Sequence, residues 1–226
     1  FAERKVGGRI GKTGNDYQHQ VRNVKTPWRF AGINSGNTTL HFHWDDTLPC
    51  TWSSQDAKAA GGACDTPTFV GPYQFYILGK SGYEENGGWT FEYWTNKGNH
   101  EVVNYTKTTG LTLPEGEWIT RFTIDSDVAP QTTASLFFYG TVNPALPTTE
   151  PADFASHYNP VLPPEKYYGY VASPDYVRFQ NCATGTVTDK DTGTVVTSSD
   201  ELCSWMRVCD EFPSVQAYKV VRTNPV

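Results

Sequence analysis

The chain has 226 residues and a formal net charge of −6 at neutral pH, and no apolar run approaches the roughly 20 residues of a membrane-spanning helix. This length is ordinary for one β-sandwich and suffices to bury a core without disulfides or metals. Aromatic residues make up 14% of the chain, and 20 Gly and 15 Pro interrupt it often. The composition disfavours a helical bundle and predicts many short strands joined by turns, because Tyr, Phe, Trp and Thr suit a pleated, half-buried surface.

The charge is unevenly distributed along the chain. Residues 1–29 carry seven Lys or Arg against two Asp or Glu, and residues 1–26 show no hydrophobic period. We therefore predict a basic N-terminal arm over 1–26 and a single β-sandwich domain over 27–226. A basic arm beside an acidic body is expected to dock onto that body, and nucleic acid is an expected partner only through this arm.

Runs rich in aromatic and β-branched residues predict about twelve short strands. They cover 28–33, 40–44, 68–70 with 73–78, 89–94, 101–105, 118–124, 135–139, 167–171, 176–179, 184–188, 194–197 and 215–221. In 118–124 the side chains alternate as a half-buried strand requires, whereas 135–139 is apolar on both faces and predicts a central strand. The expected fold is all-β, an antiparallel β-sandwich or jelly roll with long loops.

Two further segments lie between the predicted strands. Residues 143–165 contain six prolines, so an irregular surface connection is expected there. Ser198 to Glu201 could cap one helical turn that runs through Trp205.

The five cysteines form no CxxC pair, which argues against a zinc or thioredoxin-type site. Cys50 with Cys64 would close one local loop, and Cys203 with Cys209 another; a reduced chain is equally allowed. Two sequons, at Asn37 and Asn104, signal glycosylation only in a chain secreted by a eukaryote.

The most chemically suggestive segment is 41–46. On a strand, His41, His43 and Asp45 point to one side, where two imidazoles and a carboxylate could bind a divalent metal. The spacing resembles the first motif of the cupins, but Pro114-Glu115-Gly116, which matches the Pro-x-Gly element of the second cupin motif, is followed by Glu117 and Trp118 and not by the His of that motif. The alternative is a solvated strand face whose apolar side, Phe42 and Trp44, turns inward.

Other chemistries have no distinctive pattern. The glycine-rich stretch before Lys12 lacks the first glycine of a phosphate loop, because Val6 stands there. The acidic residues show no spacing that singles out a catalytic pair, and there is no nucleophile-elbow motif. We therefore expect no cofactor, assign no catalytic residues and favour a non-enzymatic protein.

Aromatic residues beside Gly, Asn or Pro are the best candidates for ligand contacts. Tyr and Trp at loop tips make rigid contact surfaces at low entropic cost, although ordinary core and rim packing is the alternative for each. The candidates are Tyr83, Trp89, Trp94, Tyr158, Tyr167 and Tyr168.

In its basic arm, its Thr- and Tyr-rich strands and its Pro-rich excursion at 144–164, the chain resembles β-sandwich coat-protein or spike domains of non-enveloped RNA viruses, the astrovirus-type spikes among them. The resemblance is compositional and transfers no individual residue. It implies a location on the virion surface, self-association into a homo-oligomer, and a host receptor or glycan bound through loops. The odd cysteine count suits assembly in a reducing cytoplasm.

The alternative is a secreted, extracellular carbohydrate-active protein: a jelly-roll polysaccharide lyase, hydrolase or lectin. The two sequons and the possible local disulfides favour it. Its site would be the face with His41, His43 and Asp45, or an aromatic-lined concave sheet.

Overall fold

The computed structural model describes residues 2–13, 19–53, 55–79, 88–105, 109–146 and 177–209. These residues form two large sheets packed face to face and a separate two-stranded ribbon of residues 50–51 and 66–67, which confirms the predicted all-β sandwich. The strands are β1 (Gly8–Thr13), β2 (His19–Val21), β3 (Lys25–Asn34), β4 (Leu40–Thr47), β5 (Cys50–Thr51), β6 (Thr66–Pro67), β7 (Phe69–Gly79), β8 (Trp89–Thr95), β9 (His100–Tyr105), β10 (Thr109–Leu111), β11 (Ile119–Val128), β12 (Thr132–Val142), β13 (Val177–Asp189) and β14 (Val195–Cys209), and one short helix is α1 (Gln55–Ala59).

One sheet has five strands in the order β1-β3-β12-β7-β10, and the other has seven in the order β2-β14-β13-β4-β11-β8-β9. Neighbouring strands are antiparallel, except that β2 runs parallel to β14. The apolar segment 135–139 lies in β12, between β3 and β7, so its prediction as a central strand is confirmed. No described helix is long and apolar enough to cross a bilayer.

The core lies between the sheets and is built largely from aromatic rings. On β4, Leu40, Phe42 and Trp44 are buried while the residues between them are partly exposed, as period-two alternation predicts. Phe138 of the five-stranded sheet contacts Phe122 of the other at a ring-centroid distance of 4.7 Å. The inward positions of both sheets therefore interlock, and the outward positions are left for solvent or a partner.

The N-terminal segment belongs to the sandwich. Residues 8–13 pair with β3 as an edge strand, and residues 19–21 pair with β14 at the edge of the other sheet. The expected docking of the arm onto the acidic body is confirmed, and Arg4 and Lys12 form ion pairs with Asp189 and Asp46. Residues 8–13 form a strand although they show no hydrophobic period, because backbone pairing with β3 orders a segment that has few apolar residues.

The disulfides match one of the two expected local loops. Cys50 bonds Cys64 as expected, whereas Cys203 bonds Cys182. The expected pairing of Cys203 with Cys209 is wrong, because both residues lie on the single extended strand β14, and Cys203 faces Cys182 directly across the β13–β14 ladder.

The helical turn expected after Ser198 is also wrong, since the same ladder holds 195–209 as a strand and overrides the local capping pattern. The strands expected at 167–171 and 215–221, and most of the Pro-rich 143–165, lie outside the described residues.

Candidate functional site

The outward side of the seven-stranded sheet carries a dense set of charged groups. The alternation that buries Phe42 and Trp44 directs the intervening residues of β4 outward, and the same alternation acts on β8 and β11, while the exposed edge strand β9 adds His100 beside Trp94. We call this surface the polar face. Its members are His41, His43, Asp45, Glu92, Trp94, His100, Arg121, Asp125 and Asp127.

At one end of the polar face, two imidazoles share two carboxylates. His41 Nδ1 lies 2.8 Å from Asp127 Oδ1, and His41 Nε2 lies 2.8 Å from Asp125 Oδ1. His43 Nδ1 lies 2.8 Å from the same Asp125 oxygen. An imidazole donates from both nitrogens only when it is protonated, so this geometry favours the charged form of His41.

The electrostatics follow from this sharing. The hydrogen bond to Asp125 raises the pKa of His41 and that of His43 above the ordinary value, and partial burial opposes both shifts. Burial alone would raise the pKa of Asp125, but the hydrogen bonds from the two imidazoles outweigh it and lower that pKa to about 2. Asp125 is therefore held as an anion between two imidazoles whose charged forms it stabilises.

A cleft opens over this network. Lys190, in the turn between β13 and β14, forms an ion pair with Asp127 and closes one side. The cleft has a volume of about 520 Å³ and is also lined by His41, Thr90 and Asp125. Because the lining side chains are tied to one another, the cleft is pre-organised for a polar ligand.

The other end of the polar face is a stack of planar groups. Arg121 donates to both oxygens of Asp45, at 2.8 and 2.6 Å, and its guanidinium lies 4.4 Å from the centroid of the Trp94 ring. His100 stacks on the same indole with a centroid distance of 4.8 Å and an interplanar angle of 5°, and its Nε2 lies 2.5 Å from Glu92. Both faces of the indole are therefore covered.

The predicted metal ligands share one side of β4, as expected, but the structure does not bring them together as a ligand set. Asp45 is engaged by Arg121, while His41 and His43 turn their nitrogens to Asp125. Among the described residues, no three His, Cys, Asp or Glu side chains are arranged to hold a metal ion. The physical reason is the neighbouring strand β11, which supplies partners that the 41–46 segment alone could not reveal.

The structure places two of the six aromatic candidates, Trp89 and Trp94, on strand β8. Trp89 begins β8, where the strand predicted at 89–94 places it, and is fully buried with its ring stacked on Trp44 at 5.5 Å, so it packs in the core and is not available to a ligand. Trp94 is a half-buried strand residue. Both lie on β8 because hydrogen bonding to β11 and β9 extends the strand through this segment. The other four candidates, Tyr83, Tyr158, Tyr167 and Tyr168, lie outside the described residues and remain predictions.

Sequence reasoning missed the role of β11. Asp125 and Asp127 alternate with Ser126 in the same way that His41 and His43 alternate with Phe42. Two short strands whose polar residues both recur at every second position are candidates for cross-strand pairing. This shared spacing is the sequence signal that could have revealed the contact between the two strands.

No family model matches the chain, and neither does any curated protein sequence. The polar face therefore has to be interpreted from its own geometry.

The His–Asp network predicts a pH-dependent contribution to stability. A raised His pKa stabilises the fold fully below the ordinary value of 6.5 and ceases to do so as the pH rises through the shifted pKa. A lowered Asp pKa stabilises above 3.8 and is lost as the pH falls toward about 2. Asp125→Asn should therefore lower the free energy of unfolding by about 1 kcal/mol near pH 5 and by less near pH 9, because these side chains remain partly exposed.

Urea unfolding of both proteins at the two pH values measures this difference. Glu201→Gln, an exposed carboxylate on β14, is the control and should show no such pH dependence. An equal loss of stability at both pH values for Asp125→Asn would contradict the charge pairing.

Proposed function

We propose that this chain is a non-enzymatic surface interaction module that binds a host receptor or glycan in the cleft over β4 and β11. The observation that carries the proposal is the pre-organised lining of the cleft, in which ion pairs hold Asp125 and Asp127 on β11 and link Asp127 to Lys190 in the β13–β14 turn. A carboxylate has about four acceptor positions, so one that is already hydrogen-bonded can still accept from a hydroxyl-rich ligand. Fixed polar groups bind such ligands at low entropic cost.

The charge states in the cleft favour binding over turnover. A general acid or base works best with a pKa near the operating pH. The pKa of Asp125 is about 2, so this carboxylate stays charged and is a poor proton carrier near neutral pH. Hydrogen bonds with His41 and His43 hold it in place, which suits ligand recognition.

We assign the module to the coat-protein or spike class, exposed on a virion surface and self-associating. Two disulfides among the described residues suit an exposed surface, since such bonds persist outside the reducing cytoplasm. They remove the argument for cytoplasmic assembly that the odd cysteine count suggested, because four of the five cysteines are paired. The two disulfides are compatible with a spike domain that projects from a virion.

The second candidate is a secreted carbohydrate-active protein, and the same disulfides favour it. Both sequon residues, Asn37 and Asn104, are exposed, and Asn104 Oδ1 accepts a hydrogen bond from Thr90 at the rim of the cleft. In this candidate the cleft would hold a polysaccharide, with lyase or hydrolase chemistry or lectin-type binding.

A glycan array probed with the full chain tests the proposal. Asp127→Asn keeps the size of the side chain but removes its charge, so we expect it to weaken binding about tenfold or more, since a hydrogen bond to a charged group contributes roughly 1.5–3 kcal/mol. Glu92→Gln is the matched control, because this carboxylate lies on the polar face but does not line the cleft. Equal binding by Asp127→Asn and the unaltered chain would show that the cleft is not the binding site.

Two measurements on the same sample separate the candidates. Incubation with polyuronates and β-glucans should give no products; sustained turnover would favour the carbohydrate-active enzyme. Light scattering after size exclusion should show a homo-oligomer, and a monomer at all concentrations would argue against the coat-protein class.

A further inference from the structure

A second cluster of reactive groups lies between the two sheets, away from the cleft. Lys12 of β1, Asp46 of β4 and Asn181 of β13 meet there. The side chains of Lys12 and Asp46 are fully buried, and Asn181 has no exposed surface. The trio connects the edge strand of the five-stranded sheet to two adjacent strands of the seven-stranded sheet.

Strand alternation explains why these polar groups point inward. Lys12 is directly opposite the buried Phe30 in the β1–β3 ladder, so it takes the inward side. Asp46 continues the inward series of Phe42 and Trp44 at a spacing of two.

One carboxylate oxygen bridges the amine and the amide. Asp46 Oδ2 lies 2.8 Å from Lys12 Nζ, and it accepts a hydrogen bond from Asn181 Nδ2 at 3.4 Å. Lys12 Nζ also donates to the backbone oxygen of Asn181 at 2.9 Å, so the amine is held against the residue that carries the amide. Asn181 Oδ1 has no hydrogen-bond partner among the described residues.

The surroundings are dry and aromatic. Lys12 Nζ lies 4.9 Å from the centroid of the Trp28 ring and 5.9 Å from that of Phe30. Desolvation penalises an ammonium and a carboxylate together, so the neutral amine and carboxylic acid are closer in free energy to the ion pair here than in water. A neutral amine is the nucleophilic form of lysine.

We propose that Lys12 and Asn181 are joined by an intramolecular isopeptide bond that forms spontaneously once the chain has folded, with Asp46 transferring the protons. This cross-link is independent of the function proposed for the cleft. It would tie the first strand covalently to β13 and the two sheets to each other.

The atoms and charges balance without any co-reactant. Asp46 takes one proton from the Lys12 ammonium, and the freed amine attacks Asn181 Cγ to form a new C–N bond. The bond from Cγ to Nδ2 then breaks, and Nδ2 leaves as ammonia with a second proton that originates from Lys12. The product is a neutral amide beside a protonated, neutral Asp46, so the reaction removes both buried charges and the penalty of burying them.

The protonated carboxyl group can also donate a hydrogen bond to the new amide carbonyl. That carbonyl derives from Asn181 Oδ1, the atom without a partner among the described residues. The same reaction thus supplies a partner for a buried acceptor.

Peptide mapping of the full, unaltered chain tests the proposal. The sample is reduced and alkylated to open the Cys182–Cys203 disulfide, digested with trypsin and analysed by mass spectrometry. Trypsin does not cleave after an acylated lysine, so we expect one branched species that joins 10–22 to 179–190 and lacks the mass of one ammonia molecule. Free peptides 13–22 and 179–190 in place of the branched species would overturn the proposal.

Two variants assign the chemistry. Asp46→Asn should retain Lys12 and Asn181 but give only the unlinked peptides, because the proton carrier is lost. Asp45→Asn, on the opposite side of the same strand, should give the branched species as the unaltered chain does. Loss of ammonia elsewhere in the chain would not join the two peptides, so the linked peptide, and not the mass alone, decides the outcome.

Discussion

The double variant Lys12→Met with Asp46→Asn should unfold at a temperature roughly 10–20 °C below that of the unaltered chain. It removes both buried charges together and leaves an amide oxygen to accept from Asn181 Nδ2. The proposed isopeptide bond cannot form in this variant. By the loop-entropy relation used for disulfides, a cross-link spanning 169 residues is worth about 5 kcal/mol.

Differential scanning calorimetry of the two proteins measures the shift. The opposite outcome has a clear physical meaning, because replacing a buried ion pair by neutral groups of similar size is often neutral or stabilising. An unchanged or raised unfolding temperature would therefore show that Lys12 and Asp46 form an ion pair and nothing more. Asp45→Asn is the control for a charge change on the same strand, and it should shift the temperature by little, since its pair with Arg121 is partly exposed.

Phe138→Ala should lower the free energy of unfolding by about 3–5 kcal/mol. Phe138 is fully buried in β12 and contacts Phe75 of its own sheet, and Phe91 and Phe122 across the sandwich, with ring centroids 4.7–5.8 Å apart. The ring of Tyr73 also stacks on Phe138, so truncation leaves a cavity lined by four other rings that are held by their own strands. The surroundings cannot collapse fully into such a cavity. The loss of stability therefore includes the transfer free energy of the ring and the additional cost of the cavity.

Chemical denaturation of Phe138→Ala measures this loss. Phe137→Ala is the matched control, because Phe137 is the adjacent residue on the same strand but points outward, where it is half-buried beside Tyr76 and Arg29. We expect the control to lose about 1 kcal/mol. Comparable losses for the two variants would mean that the sheets do not meet at Phe138.

The all-β architecture could be predicted from local sequence, because the alternation of inward and outward side chains along a strand is visible within a few consecutive residues. The inward series Phe42 and Trp44 and the central strand at 135–139 both appear in the fold as expected. The failures came where pairing with a distant strand overrode a local signal. Ser198 to Glu201 has a helix-capping pattern, yet its ladder with β13 makes it a strand.

The candidate site was half predictable for the same reason. That His41 and His43 share a side of β4 follows from their spacing alone. That they meet Asp125 and Asp127 depends on β11 lying beside β4 in one particular register, and residues 82 to 86 positions apart in the chain carry no local signal of that register.

The order of residues alone therefore specified an all-β sandwich and the side of each strand that faces the core, since both depend on a period of two within a few residues. Which strands became neighbours, and so which imidazole met which carboxylate and which lysine met which asparagine, was settled by long-range packing. Lys12 and Asn181 are 169 positions apart and come together because two sheets close over one aromatic core. Local sequence determines which side of a strand each residue faces, whereas contacts between side chains of different strands exist only once the chain has folded.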